Sequence, residues 1–409
     1  MNLKQLLLLI VAGCVIGGIG WSIHKQRTAS WQSTGQGLGQ KLLGNFPIND
    51  VAQVAIKTSQ GELNLVKADL WQVKERNGYP ANFSEVSDLI RKTAELKPVQ
   101  SVKVGASQLG RLELLPPGKG TNAGTLLEFK DKNGKLLVSL LLGKKHMKQA
   151  EANSPFGGEG WPDGRFILAS NVPPLTVWLV AESLANVEPK PEQWINKDFF
   201  KVDRLKSIEV TSTNATNNWK FSRETENGEM KLADKQDKEE IDTAKVSSLN
   251  SALSFPSFND VIASGAKPET TGLDKPIAAK LETFDNFIYT FKIGKALTNE
   301  DRYISLAVSA DIVSQRTPGK DEKAEDKDKL DKEFKEKTEK LKTKLAQEKS
   351  LESWVFLVSK WTVEPLLQNR PHWFVEKKTD TAKPGALGSP PGGDIPAGLE
   401  LPRLPSGEK

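Results

Sequence analysis

Two similar stretches decide the fold: LLEFKDKNGKLLVSLLLG at residues 126–143 and AKLETFDNFIYTFKIG at residues 279–294. In both, apolar residues alternate with other residues on either side of a polar turn, and both end in a glycine, Gly143 or Gly294. Alternation of this kind is typical of a β-hairpin with one buried face. The sequence therefore predicts the same hairpin twice.

The elements around the two hairpins recur in the same order. Ahead of each hairpin, an apolar stripe at helical spacing is stopped by a proline, Pro98 or Pro256. The stripes are Val86, Leu89, Ile90, Thr93 and Leu96 in the first copy, and Ala244, Val246, Leu249 and Leu253 in the second. Behind each hairpin come an Arg-aromatic-Ile strand, at residues 165–167 and 302–304, and a late apolar strand, at residues 177–180 and 355–358. This order predicts an internal duplication covering about residues 83–180 and 241–358.

Three short alternating segments precede the helix in each copy and read as a meander. Strands on both sides of one helix predict an α+β module with a mainly antiparallel sheet. The predicted fold class is thus α+β, with an N-terminal transmembrane helix followed by two tandem, mainly antiparallel α+β modules.

Residues 6–23 carry no charge and are long enough to cross a bilayer core of roughly 30 Å. Lys4 precedes them, and a short N-terminal tail usually stays in the cytoplasm while a large domain is translocated. We expect a single-pass protein of the bacterial inner membrane with the bulk of the chain in the periplasm. An alternative is a lipoprotein, because Val11-Ala12-Gly13-Cys14 resembles a lipobox. The apolar run continues past Cys14, which favours the spanning helix.

The predicted organisation has five parts. They are a membrane anchor at 1–27, a tether at 28–45, a first module at 46–202, a second module at 203–378 and a disordered Pro/Gly-rich tail at 379–409. Residues 313–350 are dominated by Lys, Asp and Glu, which predicts a solvated, helical insertion outside the core. We place this insertion opposite residues 146–164 of the first copy.

Composition and motifs give little evidence of chemistry. The net charge of +5 is small for 409 residues, so we expect no nucleic-acid partner. His24, His146 and His372 are scattered, without a second His or a Cys at ligand spacing. The sequence therefore predicts no catalytic, cofactor-binding or metal-binding residues, no cofactor and no enzymatic activity.

One polar set recurs, because Asp163 and Arg165 in the first copy match Asp301 and Arg302 in the second. An arginine can clamp a partner's carboxylate through two hydrogen bonds, or it can pair with the aspartate next to it. We favour the second interpretation. Together with Trp161, these four residues are the candidate partner-binding residues.

The order of anchor, Trp-bearing strand, proline-stopped helix, Gly-Leu-Asp-x-Pro at 272–276, glycine-ended hairpin and Val-x-x-Val strand resembles the bacterial domain of unknown function 4340 family. The resemblance covers about residues 50–375, and the first copy has Leu109-Gly110-Arg111-Leu112 where Gly-Leu-Asp-x-Pro would stand. It implies a membrane-anchored, extracytoplasmic protein, in many cases associated with an auxiliary system of gliding-motility-type ABC transporters. It implies no catalytic residues.

These observations favour a scaffold or binding subunit of an envelope complex, with envelope proteins, including transporter subunits, as partners. Two alternatives stay open. One is a carbohydrate- or peptidoglycan-binding module or hydrolase, with Phe156 and Trp161 beside acidic residues as its cleft. The other is an anchored solute-binding protein, which requires a deep pocket between the modules.

Overall fold

The computed structural model describes residues 38–148, 161–169, 176–263, 265–319 and 322–375. The predicted anchor at 1–27, the first part of the tether, Phe156 and the predicted tail at 379–409 lie outside these residues. Within them, no helix combines the length and the apolar character needed to cross a membrane. Two antiparallel sheets and short helices organise this part of the chain, so the prediction of an α+β fold is confirmed.

The first sheet is formed by nine strands in the part that the structure describes. They are β1 (Gln53–Lys57), β2 (Glu62–Lys67), β3 (Trp71–Val73), β4 (Tyr79–Pro80), β5 (Pro98–Lys103), β6 (Thr125–Lys130), β7 (Leu136–Lys148), β8 (Trp161–Ala169) and β9 (Thr176–Val180). Their order across the sheet is β4-β3-β2-β1-β6-β7-β8-β9-β5, and all pairs are antiparallel.

The second sheet is formed by eight strands of the described residues. They are β10 (Leu205–Thr211), β11 (Trp219–Ser222), β12 (Lys231–Leu232), β13 (Asp260–Ala263), β14 (Ile277–Thr283), β15 (Phe287–Ala296), β16 (Arg302–Ala310) and β17 (Trp354–Val358). Their order is β12-β11-β10-β14-β15-β16-β17-β13. Apart from β4, this order matches the first sheet strand for strand, which confirms the predicted duplication.

The α-helices of the described residues are mostly short. They are α1 (Phe83–Ala94), α2 (Pro191–Trp194), α3 (Thr243–Ser247), α4 (Pro268–Thr271), α5 (Lys327–Lys349) and α6 (Lys360–Val363). The 3-10 helices are Ile48–Asp50, Lys74–Arg76, Ala106–Leu112, Ala215–Asn217, Ser248–Ser251, Ala324–Asp326, Ser350–Ser353, Glu364–Leu367 and Arg370–Trp373.

Helices α1 and α3 start at matching caps. The side chain of Asn82 accepts hydrogen bonds from two backbone N–H groups of the first turn of α1, and Asp242 does the same for α3. The predicted stripe of α1 is buried, and in the second copy Val246, Leu249 and Leu253 are buried as well. Ala244 is exposed, because α3 is only five residues long and continues as a 3-10 helix.

The cores of the two modules form one continuous cluster of buried side chains. Tyr79 of the first module packs edge-on against Trp354 of the second, with ring centroids 5.0 Å apart. The Arg76 side chain donates two hydrogen bonds of 2.6 Å to the carboxylate of Asp260 on edge strand β13. A half-buried, bidentate ion pair fixes orientation as well as distance, so the modules are packed in a defined arrangement.

The predicted tether is not free along its whole length. The backbone N–H of Leu42 donates to the carbonyl oxygen of Leu96, and the side chain of Leu43 is buried in the core. The end of this segment therefore belongs structurally to the first module.

The predicted match between residues 146–164 and 313–350 is wrong. The first segment spans the β7–β8 connection, whose counterpart is the short β15–β16 connection at 297–301. The second lies between β16 and β17, whose counterpart is the β8–β9 connection at 170–175. Both segments precede the last apolar strand of their copy. Strand β8 stands between the first segment and β9, whereas no strand stands between the second segment and β17.

The charged insertion is helical, as predicted, but it does not lie outside the core. Helix α5 exposes most of its side chains, yet Leu341 and Leu345 pack against the main hydrophobic cluster and Glu348 is buried. The helix thus covers part of the second module with its C-terminal half.

Candidate functional site

The two repeated arginines occupy equivalent positions and serve the fold. Arg165 on β8 is opposite Val180, and Arg302 on β16 is opposite Val358. Arg165 is 7% exposed and donates from Nε to the carbonyl oxygen of Gly143 over 2.8 Å, and from Nη1 to that of Leu184 over 3.0 Å.

Arg302 donates from Nη1 to the carbonyl oxygen of Gly294 over 3.3 Å, which repeats the bond between Arg165 and Gly143. Burial lowers the pKa of Arg165 from its ordinary value, since leaving water disfavours the charged guanidinium. A guanidinium this deep in the protein cannot clamp the carboxylate of a partner.

The predicted pairing of each arginine with its neighbouring aspartate is wrong. Asp163 pairs with His146 across the β7–β8 hairpin, with Oδ1 and Nδ1 2.6 Å apart. Asp301 accepts a hydrogen bond of 2.8 Å from the Asn259 side chain. Each aspartate is held by a side chain from another segment, while each arginine turns to a backbone carbonyl of the adjacent strand.

The glycines that accept these hydrogen bonds, Gly143 and Gly294, are also points of close packing. A Cβ atom at Gly143 would collide with the carbonyl oxygen of Leu112, and one at Gly294 would collide with that of Thr271. The 3-10 helix Ala106–Leu112 and helix α4 therefore approach their strands at equivalent glycines. The recurrent polar and glycine residues form one structural device, used once in each module.

Trp161 lies on an extension of the first sheet that has no counterpart among the described residues of the second module. Strands β7 and β8 continue beyond the rest of the sheet, pairing Met147 with Pro162 and Lys148 with Trp161. Met147 is 50% exposed and Trp161 is 54% exposed, and the Lys148 ammonium lies 5.7 Å from the Trp161 ring centroid. In the second module the equivalent strands end earlier, at residues 296 and 302.

A cavity of about 440 Å³ lies at the base of this hairpin. It is lined by Val104, Gln108, Arg111, Leu112, Lys144, Lys145, His146, Met147 and Phe166. Neither Arg111 nor Lys144 has a carboxylate within 4.0 Å among the described residues. We call Arg111, Lys144, Met147 and Phe166 the hairpin surface; it combines positive charge that has no carboxylate within reach with apolar side chains, of which Met147 is exposed and Phe166 partly buried. Trp161 pairs with Lys148, and consecutive residues of a strand face opposite sides, so Trp161 lies on the other face of the same hairpin.

A larger cavity of about 720 Å³ lies between the two modules, and we call it the inter-module cavity. Tyr79 and Pro80 of the first module, the segment 196–203 and the C-terminal half of α5 form its walls. The solute-binding alternative requires a pocket between the modules, but the sequence did not identify the residues of this cavity, because β4 has no counterpart in the second module and α5 has the composition of a solvated helix.

Glu348 is the buried carboxyl group of this cavity. Its Oε1 accepts from the backbone N–H of Lys201 over 2.9 Å, and its Oε2 accepts from the hydroxyl of Tyr289 over 2.8 Å. Burial raises the pKa of Glu348, and the backbone hydrogen bond opposes that shift. Both carboxyl oxygens are already bonded, so this group holds α5 to the second sheet.

In the described part of the chain, no group of three or more His, Cys, Asp or Glu side chains is arranged to hold a metal ion. The geometry of this part of the chain is that of a tandem α+β protein with two packed modules, one cavity between them and another at the β7–β8 hairpin of the first module.

The comparison with protein families agrees with the resemblance in the sequence. The model of the domain of unknown function 4340 family matches residues 71–276, and the chain belongs to this family. The match covers most of the first module and the beginning of the second, up to the Gly-Leu-Asp-x-Pro segment. No curated protein and no solved structure matches the chain.

Proposed function

We propose that the chain is a membrane-anchored, extracytoplasmic scaffold that binds other envelope proteins, as an accessory subunit of a system such as a gliding-motility-type ABC transporter. The uncharged residues 6–23 would supply the anchor. The duplicated polar residues are used inside the fold, which leaves the non-duplicated surfaces for partners. The protein then acts by holding components rather than by turning over a substrate.

The observation that carries this proposal is the hairpin surface. Exposed aromatic and methionine side chains are enriched where proteins bind one another, and unpaired cations select partners with acidic groups. Met147 lines the same cavity as Arg111 and Lys144, which have no carboxylate within 4.0 Å among the described residues, and Trp161 is exposed on the other face of the hairpin. The partner that fits is a protein segment with carboxylates beside apolar side chains.

Crosslinking and co-purification from native membranes tests this proposal. Arg111→Glu with Lys144→Glu should abolish capture of the partner, and Trp161→Ala should reduce it. The matched control reverses Lys235 and Lys238, which are exposed on the second module, and should leave capture unchanged.

Equal capture by the hairpin and control variants would argue against this surface. Hydrolase activity of the purified chain, abolished by one Asp or Glu substitution, would refute the scaffold function itself.

A second candidate function is solute binding, which the inter-module cavity favours. Its volume of about 720 Å³ falls in the range of roughly 300–1,000 Å³ that is usual for small-molecule sites. Binding there is compatible with a scaffold, because the cavity and the hairpin surface share no residue.

A further inference from the structure

The inter-module cavity has an aromatic wall formed by Phe199 and Trp354, which are both partly exposed. Tyr79 meets Trp354 at an interplanar angle of 83°, and the buried Phe356 packs against Phe199 with centroids 4.7 Å apart, so the two rings of the wall are fixed in place. Tyr79 is only 2% exposed and contributes no ring face to the cavity. Rigid aromatic rings offer apolar contact area at a low cost in conformational entropy.

Both ammonium groups of the cavity are paired with carboxylates, and among the charged groups of the lining only Asp198 lacks an ion-pair partner in the described residues. The Lys344 ammonium lies 3.1 Å from Asp203 and 3.9 Å from Glu348, and the Lys201 ammonium lies 2.9 Å from Asp203. No cation in the lining is left without a carboxylate. The cavity therefore lacks the unpaired positive charge that would select a phosphate or carboxylate ligand.

Other polar groups of the lining are unused. The hydroxyl of Tyr79 and the side-chain amide of Gln347 have no hydrogen-bond partner among the described residues. The Oδ2 atom of Asp198 accepts a hydrogen bond of 3.1 Å from the side-chain amide of Asn196. Its Oδ1 atom has no hydrogen-bond partner among the described residues. These three groups include both hydrogen-bond donors and acceptors, so a ligand that satisfies them must offer both as well.

We propose that the inter-module cavity binds a neutral, hydroxyl-rich solute, specifically a short saccharide. Sugar hydroxyl groups donate to the carboxylate and amide oxygens and accept from the Tyr79 hydroxyl. The C–H faces of the sugar rings pack on the aromatic wall. This proposal rests on the second candidate function, solute binding, for which it names the class of ligand, and it is independent of the scaffold function and of the hairpin surface.

Saturation-transfer NMR and calorimetric titration of the full chain with three neutral trisaccharides test the proposal: chitotriose, maltotriose and cellotriose. The chain is purified in a detergent without a sugar headgroup, so that the detergent does not compete. We expect at least one trisaccharide to bind. Tyr79→Phe keeps the ring and removes the unpartnered hydroxyl, and it should weaken binding about fivefold, the value of one hydrogen bond.

Gln347→Ala should weaken binding by a similar factor, and Trp361→Ala, which removes a 77% exposed tryptophan outside the cavity, should not change it. The proposal is overturned if none of the three trisaccharides binds. It is also overturned if one binds with the same Kd to Tyr79→Phe and Gln347→Ala as to the unmodified chain. Displacement of the bound sugar by pyrophosphate at equal concentration would show an anion site and would equally overturn it.

Discussion

The Nε of Arg165 donates to the carbonyl oxygen of Gly143 over 2.8 Å, and the equivalent pair in the second module is Arg302 and Gly294 at 3.3 Å. Two separate copies of one sequence pattern have kept this bond between adjacent strands. Each arginine donates a hydrogen bond to the carbonyl oxygen of the glycine. At that same glycine the preceding helical segment, Ala106–Leu112 or α4, packs against the strand. Substituting these arginines therefore tests whether the recurrent residues serve the fold.

Arg165→Ala should lower the free energy of unfolding by about 2–3 kcal/mol, because two buried carbonyl groups lose a charged donor. Arg302→Ala should cost about 1 kcal/mol, since it removes one longer bond. Urea denaturation followed by tryptophan fluorescence measures both. Arg111→Ala is the control, because Arg111 is exposed and unpaired; equal stability of the Arg111 and Arg165 variants would contradict a structural role.

Gly143→Ala and Gly294→Ala should each destabilise the chain by about 1–3 kcal/mol or more, because the added methyl group collides with a backbone carbonyl that cannot rotate away. Gly61→Ala is the matched control, since a Cβ there meets no atom within 4 Å. The melting temperatures of the three variants decide the question. If Gly143→Ala melts with the control, the close approach of the helix is not needed for stability.

The repeated fold could be predicted because its signals are local. Alternation marks each hairpin, helical spacing marks α1, and Gly143 and Gly294 stand at the same step of the pattern. The partners of Arg165 could not be predicted, since its acceptors lie 22 and 19 residues away and are backbone atoms of no particular residue type. An aspartate two positions away gave the more obvious, and wrong, partner.

The binding regions were harder to predict than the fold. Trp161 was among the candidate partner-binding residues, and it is 54% exposed. The inter-module cavity depends on how two modules pack, and no local periodicity encodes that. Glu348 is one carboxylate among many in α5, so nothing in the pattern distinguishes the buried one.

Leu345→Ala should lower the free energy of unfolding by about 1–2 kcal/mol, because this side chain packs on the main core while remaining partly exposed. Leu330→Ala, near the start of the same helix, is the control. Leu330 is not among the side chains packed on the core, so its loss should change stability by less than about 0.5 kcal/mol. Equal effects in thermal unfolding would restore the interpretation of α5 as a solvated insertion.

Glu348 should make stability depend on pH in a definite direction. Burial raises its pKa above the ordinary value of 4.5, so the folded chain binds this proton more tightly than the unfolded chain does. The stability that this carboxyl group contributes is therefore fully present below about pH 4.5 and is lost as the pH rises through the folded-state pKa.

Glu348→Gln removes the titration while keeping an acceptor for the Lys201 N–H and a donor for the Tyr289 oxygen. The free energy of unfolding of the unmodified chain minus that of Glu348→Gln should fall as the pH rises from 4.5. One proton limits the slope to about 1.4 kcal/mol per pH unit, and the difference becomes constant above the folded-state pKa. Urea denaturation at a series of pH values measures it. A difference that stays constant or grows with pH would mean that the carboxyl group is ionised at no cost, and that Lys344 compensates fully for its burial.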